Sequence, residues 1–225
     1  MAIGSIMMSL ASLGMPAYIN KFSPYYKDHL PRNKNDQAAW ALLVSIIGFA
    51  LLAIAGLFMK NIVGRAFDNS PQIVQYYYWL FPFGLGLTLF SVLEGFAWQN
   101  HKSILSNYLK EVQFRVFVTI LFVLVSISVI KEFDLFIKIY AFLYLTLAIV
   151  LFIYLYSTGK INLNFSVSKV TRRLFKKILM LCGFVWGTHL YTILQQLPIQ
   201  LSLRVYSLME PAWLGFSRLP NTLPA

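Results

Sequence analysis

A single cysteine, Cys182, leaves no disulfide partner within the chain and excludes any multi-cysteine metal site. Acidic residues are also scarce, eight Asp and Glu against nineteen Lys and Arg, and charged residues of either sign make up only 12%. That is too little polar cover for a water-soluble chain of 225 residues that is 58% hydrophobic with a mean hydropathy of +0.65. The net charge of +11 would suggest nucleic acid in a soluble protein. Here the basic residues stand between long apolar runs, so the charge reads as membrane topology and no nucleic-acid partner is expected.

A helix needs roughly 20 residues to cross about 30 Å of hydrocarbon. Six runs approach or exceed that length: Met1 to Asn20, Gln37 to Met59, Asn69 to Leu93, Val116 to Ile130, Ile139 to Gly159 and Ile178 to Leu203. The pattern predicts an all-α integral membrane protein with about six transmembrane helices. The fourth run is short, but Arg115 and Lys131 at its ends can snorkel to the interfaces. Before it, Ser103 to Arg115 reads as a polar helical extension projecting into the cytoplasm, with Glu111 and Arg115 at i, i+4 spacing. Tyr and Trp crowd several run ends, as rings do at headgroup level. No Lys or Arg precedes Lys21, so the first run lacks the basic region of a signal peptide.

If all six runs cross, thirteen of the nineteen basic residues fall on one side, in 21–36, 94–115 and 160–177, and six on the other. The richer side is expected to be cytoplasmic. Met1 then lies outside, which one upstream helix would cure, so the chain is expected to begin one helix late. After Gln196 four of the nine prolines, Pro198, Pro211, Pro220 and Pro224, fall in a stretch with no clean helical period. Residues 204–225 are therefore expected to be an aberrant or truncated tail, with a Pro-kinked continuation of the sixth helix or an interfacial segment as the alternatives.

The segment Gly14-Met15-Pro16-Ala17-Tyr18-Ile19-Asn20-Lys21-Phe22-Ser23-Pro24-Tyr25-Tyr26 resembles the end of the second helix in polysaccharide-biosynthesis flippases of the multidrug/oligosaccharidyl-lipid/polysaccharide exporter superfamily. Met15 stands where that family has Leu, and Tyr25 where Glu is usual. The resemblance continues through Glu94 to Arg115 and covers roughly Gly4 to Gln196, with no single diagnostic motif. It implies that the six runs are helices two to seven. Residues 1–159 would then be an incomplete N-terminal lobe of a two-lobe exporter, 160–177 a basic cytoplasmic linker and 178–203 the first helix of the second lobe. It also implies a bacterial inner membrane location, a lipid-linked oligosaccharide as substrate, and membrane lipids and a coupling ion, proton or sodium, as further partners.

Polar side chains inside the apolar runs are the candidate substrate-binding residues, because such groups are costly at bilayer depth. His189 lies about 16 Å along the sixth run at the usual helical rise. Thr192, Gln195 and Gln196 share its face with Thr188 nearby, either lining a central cavity or bonding to another helix. Glu94 ends the third run, in a water-filled cavity or at the interface. Lys21 matches the family's basic position and offers a point charge for pyrophosphate, although it is also the first positive-inside residue. No catalytic residue, metal or cofactor is expected.

The leading expectation is a flippase working by alternating access, which needs a hydrophilic cavity and no covalent chemistry. A cation-coupled multidrug exporter would need a carboxylate in the first lobe, where only Glu94 is even marginally placed. A membrane-embedded glycan polymerase would need acids on a substantial outer loop, and the outer connections carry only Asp68, Glu132 and Asp134. A non-functional fragment is the remaining alternative.

Overall fold

The computed structural model describes residues 2–31, 34–66, 76–127 and 132–216; at 2–3, 59–66, 193–194 and 196–216 the description is of the backbone alone. Most of these residues are helical, with no strand among them. The helices are α1 (Ala2–Ala11), α2 (Met15–His29), α3 (Gln37–Ala66), α4 (Leu80–Gln99, entered through a 3-10 turn at Tyr77–Trp79), α5 (Ser103–Asn107), α6 (Phe114–Ser126), α7 (Phe133–Ser157) and α8 (Lys169–Phe216). A π-helical segment, Tyr108–Gln113, joins α5 to α6 without a break. The chain divides into two compact units, Met1–Trp186 and Gly187–Ala225.

Three stretches are long and apolar enough to cross a membrane: Gln37–Phe58, Tyr77–Gln99 and Phe133–Ser157. At about 1.5 Å per residue each spans about 33 Å or more, enough for a hydrocarbon core. They account for the second, third and fifth predicted runs, with shifted ends. The third starts later than expected, at the 3-10 turn, and runs on to Gln99; residues 69–75 of that prediction lie outside the described residues. The fifth starts at Phe133, because an Asp134–Lys138 ion pair bridges one turn of the helix and lets its polar end wind up with the apolar part.

The first predicted run is not one span. Leu13 and Gly14 both adopt positive φ, 48° and 75°, which ends α1 and restarts the chain as α2 with Pro16 in its first turn. Gly14 suits this break doubly. Its φ is one that side-chain-bearing residues resist, and a Cβ there would come within 3.0 Å of the Cys182 carbonyl oxygen. The fourth run is helical from Phe114 to Ser126 and prolongs the π-helical segment. The sixth lies within α8, whose backbone stays helical through Pro198 and Pro211 to Phe216. Residues 217–225 lie outside the described residues.

In the first unit α4 is the central helix, packed by α1, α2, α3 and α7, with α6 against α7. It tolerates this crowding because Pro82 sits in its first turn, where no intrahelical N–H is needed, and because Gly86 lets the α7 backbone at Tyr144 and Leu145 come too close for any Cβ. Ile19, Phe90, Val92, Leu93, Leu147, Leu151 and Leu155 fill the core. Phe83 stacks on Tyr140 at 5.5 Å and meets Tyr144 edge-on at 5.3 Å, while Phe114 reaches Tyr144 at 4.5 Å, so aromatic rings knit α4, α6 and α7 together. The outward faces are as apolar as the core. Leu51, Ile54 and Phe58 on α3, Ile120 and Phe122 on α6 and Ile149 and Ile153 on α7 are all exposed. An apolar exterior of this extent on long helices suits hydrocarbon rather than water.

Candidate functional site

The ends of α2 and α3 that carry the basic loops hold several buried polar side chains, Ser23, Asp36 and Gln37. Asp36, fully buried, is the N-cap residue of α3, and its Oδ2 accepts hydrogen bonds from the Ser168 N–H at 2.9 Å and the Thr171 hydroxyl at 2.7 Å. Ser168 in turn caps α8 by accepting from the Thr171 N–H at 3.1 Å. Because Thr171 gives its only hydroxyl proton to Asp36, Tyr26 must donate to Thr171 across 2.7 Å, and Tyr18 donates to Tyr26 across 3.0 Å. The result is a directed chain, Tyr18 to Tyr26 to Thr171 to Asp36, that ties α2, α3 and α8 together. Burial raises the Tyr26 phenol above its ordinary value, so it remains a donor near neutrality.

Beside this chain lies a polar cavity of about 340 Å³. Its walls come from Ser23 and Lys27 of α2, Asn35, Gln37 and Ala38 at the start of α3, Phe96, Asn100 and His101 at the end of α4, and Gly159 to Asn162 after α7. Lys27 donates to the Gln99 carbonyl, placing a cation at the carbonyl end of α4 where the helix dipole favours it. Among the described residues no Asp or Glu lines the cavity. Gln37 is only 1% exposed, yet neither of its amide atoms has a hydrogen-bond partner among the described residues. Leaving such a group unsatisfied costs about 1–3 kcal/mol. A second, apolar groove of about 460 Å³ opens between α3, α4 and α7, walled by Leu42, Ile46, Leu89, Leu93, Phe152 and Phe165 among others.

Glu94 is a buried side chain. It lies within α4, 9% exposed, and Lys110 of the π-helical segment reaches both its carboxylate oxygens at 3.4 Å. Tyr108–Gln113 therefore does not simply project away as expected, since Lys110 turns back to α4. By contrast Glu111 and Arg115 form the exposed helical pair foreseen, at 2.8 Å.

Lys21 is exposed and lines neither cavity. His189, Thr192 and Gln195 belong to the second unit. There Thr192 donates to the Thr188 carbonyl at 2.9 Å and Gln195 to the Tyr191 hydroxyl at 2.8 Å, both within one helix. The Gln196 side chain lies outside the described residues. Asp36 and Gln37 were not singled out in the sequence, although the polar triplet Asn35-Asp36-Gln37 before a long apolar run carries the signature of a helix start. Among the described residues no three His, Cys, Asp or Glu side chains are grouped to hold a metal. Comparison with models of known protein families, with curated proteins and with solved structures finds no match.

Proposed function

We propose that this chain is part of a membrane transporter of the flippase type, moving a polyprenyl-pyrophosphate-linked oligosaccharide across a bacterial inner membrane by alternating access. The observation that carries the reading is the Glu94–Lys110 pair. A carboxylate held at 9% exposure on a spanning helix, answered by a lysine from a π-helical segment, is an expensive arrangement that recurs along transport routes. The sequence resemblance from Gly4 to Gln196 supplies the substrate class, and the short connections with few acids favour transport over a covalent reaction. In this reading Lys21, His189, Thr192, Gln195 and Gln196 remain candidate substrate contacts.

The same Glu94 favours a second reading, a cation-coupled exporter, because it is a buried carboxylate on a spanning helix. Lys110 already neutralises it, which ranks this reading below the first.

The test is transbilayer movement of a fluorescent polyprenyl-pyrophosphate oligosaccharide in proteoliposomes, read by quenching of the outer leaflet. Movement well above protein-free vesicles, falling at least tenfold in Glu94→Gln with the protein still folded, is the expected result. Movement no faster than in protein-free vesicles overturns the flippase reading. Uptake of an organic cation driven by a proton or sodium gradient would put the exporter in its place.

A further inference from the structure

Over the first turns of α8, every exposed side chain but Phe175 is basic. Val170, Leu174, Ile178 and Cys182 recur at every fourth residue and are buried in the core, and the Asp36 carboxylate holds the Ser168 N–H and the Thr171 hydroxyl, which together fix the rotation of the helix. Lys169, Arg172, Arg173, Lys176 and Lys177 therefore face away from the core, within an arc of roughly 140° at the usual helical twist, and all five are exposed. The sequence has no Asp or Glu between Asp134 and Glu210, and among the described residues none of the five cations is in an ion pair. So close a group repels itself, and it stands at the helix end whose dipole is also positive. Membrane topology does not require this arrangement. The same charges would serve it equally on the connection Ile161 to Ser168, which holds no Lys or Arg. An external anion is what offsets the repulsion.

The kind of anion follows from what comes next on the same helix. Past Lys177 the exposed side chains turn apolar, with Leu179 at 55%, Met180 at 65% and Phe184 at 73% exposure. A change from cations to hydrocarbon within one turn is the profile of a leaflet at its headgroup boundary, whereas a soluble acidic protein or a nucleic acid would leave these apolar side chains in water. We propose that this face of α8 docks on the anionic phospholipid headgroups of the leaflet on the basic-loop side and holds more than one such lipid at a time. Lys176 and Lys177, nearest the apolar side chains, meet the phosphates, Arg172 and Arg173 lie one turn further out, and Leu179 and Met180 pack on the acyl chains. The assignment rests on the membrane reading of the chain and not on what the chain transports.

The full chain, purified in a neutral detergent, is titrated with dioleoyl phosphatidylglycerol or dioleoyl phosphatidylcholine and the bound lipids are counted by native mass spectrometry. Two or more phosphatidylglycerols are expected to bind at least tenfold more tightly than phosphatidylcholine. Arg173→Gln combined with Lys177→Gln removes two neighbours on the face and is expected to lower that preference at least fivefold, each cation near an anionic surface being worth about fivefold. Arg172→Gln combined with Lys176→Gln should match it. Lys21→Gln combined with Lys34→Gln removes two exposed cations of the same expected side that lie outside α8, and should lower the preference less than twofold. All six positions are exposed, so each variant is expected to melt as the parent does. Equal affinity for the two lipids overturns the proposal. So does a loss in the α8 variants no greater than in the Lys21 and Lys34 pair, which would make the preference a matter of net charge. Displacement of the lipid by glycerol phosphate at equal concentration would make the face a free-anion site and overturns the proposal as well.

Discussion

A buried carboxylate needs a countercharge, and Glu94 has Lys110 at 3.4 Å with side-chain exposures of 12% and 43% respectively. Removing one partner leaves the other as an unpaired charge, whereas removing both leaves two neutral groups of similar size. Lys110→Met is therefore expected to lower stability by about 1–2 kcal/mol, the partial exposure of the lysine screening the rest. The double variant Glu94→Gln, Lys110→Met should recover most of that, a comparison that thermal melting in detergent can make. Asp36 is a different case, because it is fully buried and its partners are the Ser168 N–H and the Thr171 hydroxyl. Asp36→Ala abandons two hydrogen bonds to a charged acceptor and is expected to cost about 2–4 kcal/mol. Asp36→Asn keeps an acceptor oxygen and should lose less than half as much, measured by the same melts. Glu94 could be singled out in the sequence because a lone acid in an apolar context stands out. The importance of Asp36 and Gln37 could not, since a polar triplet at a helix start is ordinary until the fold buries it.

Helices sort by what their glycines touch. A Cβ at Gly86 would overlap the α7 backbone at Tyr144 and Leu145, and backbone cannot step aside as a side chain can. Gly86→Ala is therefore expected to part α4 from α7 and lower stability by about 1–3 kcal/mol. Gly183 in α8 has nothing within 4 Å of its notional Cβ, so Gly183→Ala should match or exceed the parent, helix propensity favouring Ala by about 1 kcal/mol. Both glycines sit in apolar stretches with nothing local to tell them apart. The same limit explains the first run. Its composition reads as one span, but the positive φ values at Leu13 and Gly14 fold it into α1 and α2, and Gly14 is needed there because Cys182 lies against it. The three long stretches on α3, α4 and α7 were legible because each carries its own apolar period at sufficient length.

For the molecule as a whole, the basic residues predict which side each connection occupies. With Cys182→Ala as background, a cysteine at Ser166 should react with a membrane-impermeant maleimide from the cytoplasmic side only, and one at Glu132 from the opposite side only. Labelling of both from one side would reverse the reading of the charge pattern. The helical class and the apolar exterior follow from the sequence alone, because length and hydropathy along a single segment decide whether that segment can satisfy its backbone in hydrocarbon. Only the tertiary structure decided that α4 is central, that Lys110 returns to Glu94, that Asp36 ties α3 to α8 across 132 positions of chain, and that Gln37 lines a basic cavity beside an apolar groove. Each of these depends on which distant residues come to lie side by side, and residues far apart in the chain meet through packing of whole helices rather than through any local pattern.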